Sequence, residues 1–279
     1  MSTNLTDEEI QKTLSKLQSR YDILRDNSAK MGSALVAFSG GIDSMTLLKV
    51  IHEELGSKCA GAFVRSCLTS KSEFKYAEEF CKDEGIELYV VSFDPFKTGE
   101  FAENSPDRCY LCKKAIFSKL KMVAADKGFE HLCDGSNADD VGDCRPGLKA
   151  LEELGVESPL IDVGMTKDEV RVLAMSLGID DWDKPSNACF ASRIPTGDEI
   201  TREKIKMIEK AEQVVRDAGF LQLRVRMHGD LARIEVGEDE LERIGEFEQD
   251  EEFLGKIREV GFNEVEFDPK GYRQGGANA

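Results

Sequence analysis

Residues Ala34-Leu35-Val36-Ala37-Phe38 form a short unbroken apolar run, followed at once by Ser39-Gly40-Gly41-Ile42-Asp43-Ser44 and then by the helical pattern Met45-Thr46-Leu47-Leu48-Lys49-Val50-Ile51. A run of this kind reads as a strand buried on both faces, the situation found in a parallel sheet covered by helices. The two glycines therefore sit at a strand-to-helix turn. Backbone N–H groups at a helix start have no intrahelical partner, and the helix dipole presents its positive end there. That arrangement suits an anion, most often phosphate. Glycine permits close backbone approach, Ser39 and Ser44 bring hydroxyls, and Asp43 either caps the helix or helps hold a metal. No Gly-Lys-Ser/Thr follows, so this is not the lysine-bearing phosphate loop.

The same alternation continues downstream. Strands are expected near 33–39, 59–64, 88–93 and 131–134, with a possible fifth at 159–163. Between them, helices are expected at 43–55, 70–84, 113–127 and 147–154, after a first amphipathic helix over 6–27 with a Thr6/Glu9 capping box. Strands alternating with helices imply an α/β fold with a doubly wound parallel sheet, whose ligands lie beyond the carboxyl ends of the strands. Three segments fall at such ends: the glycine-rich turn, Arg65-Ser66, and Asp134-Gly135-Ser136-Asn137-Ala138-Asp139-Asp140. Asp139 and Asp140 read equally as Mg²⁺ ligands or as a helix N-cap.

The pattern changes near 181–200, where Asp181-Trp182-Asp183-Lys184-Pro185-Ser186 reads as a linker and Trp182 as packing between two units. A helix at 201–218, two alternating strands at 223–228 and 231–236, a helix at 238–260 and a strand at 263–267 form a second, smaller α+β domain. The expected division is 1–183 and 184–279, with a loose tail from 270. In the first of these strands Leu223, Val225 and Met227 share one face, and Arg224, Arg226 and His228 the other. The arginine face reads either as a solvated exterior or as a guanidinium clamp for a phosphate or carboxylate, joined by Arg233 and Glu235.

The chain has 279 residues and a net charge of −17. That charge argues against long nucleic acid as a partner, though not against a small phosphorylated substrate. No apolar stretch is long enough to span a membrane, and no basic-then-apolar segment opens the chain, so a cytoplasmic location is expected. There are eight cysteines. In such a setting they are core residues, reactive thiols or metal ligands rather than a disulfide framework. Cys109-Tyr-Leu-Cys112 reads as a loop just ahead of a helix, with Arg108, Lys113 and Lys114 beside it to favour thiolates, and suggests a metal or redox pair. Cys189 lies in a breaker-rich segment near Arg193, which favours its thiolate. Three thiols from two places do not close a four-ligand zinc site, but they suit a 4Fe–4S cluster with one open iron; zinc with an outside ligand is the alternative. Cys59, Cys81 and Cys133 read as core, and Cys67 and Cys144 as loop residues near the presumed site.

Taken together, Ser39 to Ser44, the Arg108–Phe117 segment, the Asp134–Asp140 loop, Ala188-Cys-Phe-Ala-Ser-Arg-Ile-Pro-Thr-Gly-Asp-Glu-Ile-Thr201 and Leu223-Arg-Val-Arg-Met-His-Gly-Asp-Leu-Ala-Arg-Ile-Glu-Val236 resemble the LarE family of ATP-dependent sulfur transferases, within the PP-loop ATP pyrophosphatase superfamily. The resemblance implies an adenine nucleotide alpha hydrolase-like domain that uses ATP and Mg²⁺. It implies adenylation of a carboxylate of pyridinium-3,5-biscarboxylic acid mononucleotide and replacement of oxygen by sulfur, on the way to a nickel-pincer nucleotide. Ser39, Gly40, Gly41, Asp43 and Ser44, with Ser66, Gly135 and Arg193, are then expected at ATP. Arg224, Arg226 and Arg273 are expected at the substrate phosphate, and Glu235 near a metal or the substrate. One branch of the family sacrifices the sulfur of a single cysteine at the position of Cys189. The other holds a 4Fe–4S cluster on three cysteines, which Cys109, Cys112 and Cys189 match. A small-molecule mononucleotide substrate, a sulfide donor and a homo-oligomer are the implied partners. A tRNA thiolase with a similar cluster and a non-catalytic ATP-binding redox sensor are the alternative readings.

Overall fold

A computed structural model describes residues 7–141, 146–183 and 188–273. The first sheet is built from β1 (Ala34–Phe38), β2 (Cys59–Arg65), β3 (Glu87–Ser92) and β4 (His131–Cys133), interleaved with α2 (Ile42–Leu55), α3 (Lys71–Asp83) and α4 (Arg108–Lys127), and preceded by α1 (Asp7–Ala29). All its pairings are parallel, in the order β3-β2-β1-β4. The chain thus steps outward from β1 to β3 and then returns to the other side of β1. The crevice between the carboxyl ends of β1 and β4 is the switch point at which such sheets bind ligands.

Strand alternation divides β1 cleanly. Ala34, Val36 and Phe38 enter a core with α1, α2, α3 and, further on, α7 (Lys167–Ser176). Leu35 faces the opposite way, into a second layer with Phe117, Leu120 and Ala124 of α4 and Leu151 of α5 (Pro146–Leu154). The sheet is therefore covered on both faces, as its apolar strands require.

Three local expectations change. Residues 159–163 do not form a fifth strand: Pro159, with no N–H to give a ladder, opens the short helix α6 (Pro159–Asp162), and only Glu157 makes a single parallel bridge to Cys133. The helix carrying the Cys109/Cys112 pair begins at Arg108, so both thiols lie in its first turn rather than in a loop. Helix α7, not expected from the sequence, starts at a Thr166/Glu169 capping box. The Thr6/Glu9 box, Cys144 and residues 184–187 of the linker lie outside the described residues or side chains.

The second sheet contains β5 (Leu223–His228), β6 (Leu231–Val236) and β7 (Glu264–Phe267), ordered β5-β6-β7, with the first pair antiparallel and the second parallel. Helices α8 (Arg202–Asp217) and α10 (Glu251–Val260) supply Ile205, Ile208, Ala211, Val215, Phe253, Leu254 and Ile257 to its core. The helix expected over 238–260 is broken: α9 (Leu241–Gly245) ends early, and Asp250 caps a new start by accepting from the N–H groups of Glu252 and Phe253. The core of this sheet also takes in Leu68 and Phe101 from earlier in the chain. Trp182 packs against the first core instead of between two units. Among the described residues no helix is long and apolar enough to cross a membrane.

Candidate active site

The glycine-rich turn forms the floor of a cavity of ≈ 420 Å³ at the switch point. Gly40 has φ +76, and a Cβ there would stand 3.3 Å from the backbone oxygen of Glu73, so the turn requires glycine. Gly41 precedes α2 with no side-chain cap, and Ile42, Asp43 and Ser44 line the cavity, leaving the helix start open to an anion. The serines pin the turn: Ser44 Oγ donates to the Gly41 oxygen at 2.9 Å and lies 3.2 Å from both the backbone N and the Oγ of Ser39. They rigidify the cradle as well as offering hydroxyls to it.

The second wall comes from the loop after β4. Gly135 presses against the first turn of α2, where a Cβ would fall 2.7 Å from the Ser44 nitrogen. No side chain fits there without moving the cradle. Asp134, buried beneath, accepts from Ser136 Oγ and Ser158 Oγ at 2.6 Å each and faces Lys113 Nζ at 3.4 Å. Asp43 pairs with Lys167 and accepts from Asn137. Burial pushes the Asp43 carboxyl above the ordinary carboxylate range; Lys167 pulls it back and Asp140 pushes it further up. Asp140 lines the cavity and closes a capping box with Asn137, while exposed Asp139 turns away to accept from the N–H of Lys167. The two neighbouring carboxylates are thus not side by side at the phosphate cradle. Ser66 and Thr69 complete the rim.

Cys112 and Cys189 both line this cavity. The i,i+3 spacing on α4 puts Cys109 and Cys112 on one helix face. Cys109 is exposed, with a guanidinium nitrogen of Arg108 3.6 Å from its sulfur. Burial pushes Cys112 up to about 12, and the neighbouring Cys189, Cys109 and Cys67 sulfurs add to that rise. Cys189 is exposed as a residue, with protein packed around it. That burial raises its thiol, while the Ala191 N–H, Arg108 and Arg193 draw it down. The fold brings the three thiols within electrostatic reach of one another, with Cys112 and Cys189 on the cavity wall and Cys109 outside it. As they stand, no three His, Cys, Asp or Glu side chains among the described residues form a metal-binding group. The donor set itself, all thiols with two guanidinium groups nearby, has the chemistry of an iron–sulfur ligand set.

Arg193 is not at the cavity, contrary to the expectation that it contacts ATP. It is 1% exposed, bonded bidentately to Glu212 at 2.7 and 3.1 Å, and donates to the carbonyls of Ala188 and Cys189 at 2.6 and 3.1 Å. It is committed to holding the Cys189 turn. Arg224, Arg226 and Glu235 are brought together but are buried, which excludes the solvated-exterior reading of that face. Arg226 bonds Glu235, the Ser192 carbonyl and the Arg273 carbonyl; Arg224 lies over the Tyr272 ring at 4.9 Å; Arg273 pairs with Asp268. Glu235 Oε1 is buried without a partner. Burial and the nearby Arg193 lower Arg224 to about 10. These residues lie in a cluster separate from the nucleotide cavity, joined to it through Ser192 and the Cys189 turn.

Sequence reasoning missed Lys167 as the partner of Asp43, since 124 residues separate them and no local pattern links them. It noted Lys113 only as a neighbour of the thiols, although Lys113 lines the cavity opposite Asp134.

A parallel sheet with a Ser-Gly-Gly-x-Asp-Ser cradle at its switch point defines a protein of the PP-loop ATP pyrophosphatase class. No family model matches the chain. It is 36% identical over 245 residues, 87% of this chain and 88% of the relative, to the pyridinium-3,5-bisthiocarboxylic acid mononucleotide synthase of Lactiplantibacillus plantarum. It is 34% identical over 94% of this chain and 98% of the relative to an uncharacterised Synechocystis protein. At greater distance, it is 27% identical over 66% of this chain and 63% of the relative to one component of the glutamine-hydrolysing GMP synthase of Pyrococcus furiosus. The chain belongs to the LarE family, that of the pyridinium-3,5-bisthiocarboxylic acid mononucleotide synthases.

Proposed function

We propose that the protein is an ATP-dependent sulfur transferase acting on pyridinium-3,5-biscarboxylic acid mononucleotide. The observation that carries this reading is the position of two cysteines, Cys112 and Cys189, on the wall of the same cavity whose floor is the phosphate cradle. ATP, with Mg²⁺ screening its charge, lies with its phosphates on the N–H groups of the Gly40–Ser44 turn. A substrate carboxylate oxygen attacks the α-phosphorus, the bond to pyrophosphate breaks, and pyrophosphate leaves. A carboxylate is a poor electrophile until one oxygen becomes such a leaving group. A sulfur nucleophile then adds to the activated carbon and AMP departs, leaving a thiocarboxylate. Lys113 stands beside the cavity to offset negative charge, and Asp134 holds it there.

In the same proposal Cys109, Cys112 and Cys189 hold a 4Fe–4S cluster. Bound there, it supplies an iron without a protein ligand, able to carry the sulfide the reaction consumes. Arg224, Arg226 and Arg273 serve the substrate phosphate by opening part of their present bonding. Residues 1–183 and 184–279 act as nucleotide and substrate units of a homo-oligomeric enzyme that a sulfide donor reloads. The test is pyrophosphate release from labelled ATP. Release should depend on the dicarboxylate mononucleotide, and mass spectrometry should find sulfur in the product. ATP binding without substrate-dependent release would instead support a redox sensor, and sulfur appearing in tRNA a thiolase.

A second reading is favoured by the cavity itself, which Cys189 reaches and Cys109 does not: the Cys189 sulfur adds to the activated carbon as AMP leaves, and loss of its α-proton then breaks the Cβ–Sγ bond, releasing the thiocarboxylate and leaving dehydroalanine. Colourless anaerobic protein whose Cys189 loses the mass of hydrogen sulfide on turnover would establish it. A brown protein with an intact Cys189 supports the cluster.

A further inference from the structure

Asn104 is the only non-glycine residue with positive φ among the described residues, at +53, and it is completely buried. Asparagine tolerates that backbone region better than most residues, but a buried amide must still satisfy its donors and acceptor. Its Nδ2 donates to the carbonyls of Pro195 and Asp198 at 2.6 and 2.9 Å, which uses both N–H groups. Its Oδ1 accepts from Arg108, and its backbone oxygen accepts from Gly197 N–H at 3.0 Å. The same Arg108 nitrogen donates to the Ala191 carbonyl at 3.0 Å. Arg108 immediately precedes Cys109 at the start of α4, and Ala191 lies two residues beyond Cys189. Buried Asn104 therefore holds the half-buried Arg108, and Arg108 ties the segment ahead of Cys109 to the one after Cys189, although Arg108 and Ala191 lie 83 positions apart along the sequence.

We propose that Asn104 is a positioning residue. Acting through Arg108, it sets the separation between the Cys109/Cys112 turn of α4 and the Cys189 turn, and so the geometry of the three-thiol set. The proposal rests on the reading that these cysteines act together. An aspartate at 104 would face the carbonyl oxygens of Ile194, Pro195 and Asp198 with no hydrogen to donate. Glycine would keep the backbone conformation and lose only the side-chain bonds, which makes Asn104→Gly the informative variant. Arg108→Lys breaks the second half of the link while leaving the Asn104 backbone unchanged.

The probe is Co²⁺ added to reduced, metal-free protein under argon, followed by its thiolate charge-transfer absorption. ATP affinity is measured in parallel by calorimetry. Partners that orient metal ligands typically cost 10–100-fold in affinity when removed, so each variant should bind Co²⁺ at least about tenfold more weakly while ATP affinity stays as in the parent. Parent-like Co²⁺ affinity in both variants overturns the assignment. So does an equal loss of Co²⁺ and ATP binding in both, because Asn104 would then support the fold in general. A Cys189→Ala control separates the two layers: if it binds Co²⁺ as the parent does, the three-thiol reading itself fails and the proposal falls with it.

Discussion

Gly135 shows how little tolerance the cradle has. Its missing Cβ is the space taken by the Ser44 backbone. Backbone cannot rotate aside as a side chain can, so Gly135→Ala must displace the start of α2. Overpacking of this kind costs about 1–3 kcal/mol, and ATP affinity measured by calorimetry should fall about tenfold or more. Unchanged affinity would mean that the N–H groups of α2 do not hold the nucleotide. Asp43 behaves differently. Burial holds its carboxyl above the ordinary range despite Lys167. A raised value means that the stability tied to this group is complete below the ordinary carboxylate range and is lost as pH rises through the raised one. Asp43→Asn should therefore melt at or above the parent's Tm at pH 7, and the gap should close on acidification. A variant less stable at pH 7 would show that the Lys167 pair outweighs burial. Three other cysteines are spectators by the same physics. Burial pushes Cys59 and Cys81 up to about 12 and raises Cys133 well above the ordinary thiol range. At pH 8 a thiol of that kind is ionised in about one molecule in ten thousand, so alkylation followed by peptide mapping should find all three unmodified until denaturant is added.

At the scale of elements, β5 is an edge strand whose outward Val225 N–H is taken up by Glu212 at 3.1 Å, and Glu212 in turn holds Arg193. That closes an edge that would otherwise invite pairing with another chain. Both side chains are nearly inaccessible, at 2% and 3%. Arg193→Met leaves a buried carboxylate unpaired and should cost about 3–5 kcal/mol in urea denaturation, whereas adding Glu212→Leu should recover most of it. If the single change costs under about 1 kcal/mol, water reaches the pair and it is not a buried clamp. The sheet and its helices were legible because each strand is an apolar run bounded by breakers, and α8 has a strong apolar stripe. The start of α4 was not: Pro106 reads equally as a loop breaker, and Asp107 precedes the helix without the side-chain cap bond that its residue type suggests. Nor was the fate of the arginine face of β5. Alternation tells that two faces differ, but what covers the second face comes from the Cys189 turn and the Tyr272–Arg273 end, far off in sequence.

In the whole molecule the two sheets are interlocked. Leu68 and Phe101 enter the second sheet's core, Phe190 N–H bonds the Leu68 carbonyl at 3.3 Å, and Ile200 N–H bonds that of Ala102 at 2.8 Å. Arg202 grips Asp94 with both contacts at 2.7 Å and lies over the Phe96 ring. A cut at residue 183 would strip these apolar side chains of their cover. Calorimetry of the full chain should therefore show one transition, and a fragment of residues 1–183 should fail to unfold cooperatively. Two separated transitions would show the sheets to be independent. Helix α4 sets a last condition on the chemistry. It runs 20 residues from the paired thiols to Gly128, a rod of about 30 Å, and its middle is locked between the sheet and α5. A rod anchored along its length cannot swing at one tip. The short turn bearing Cys189, the opposite jaw, is held as firmly by Arg193, so whatever docks between the thiols must fit a spacing already set.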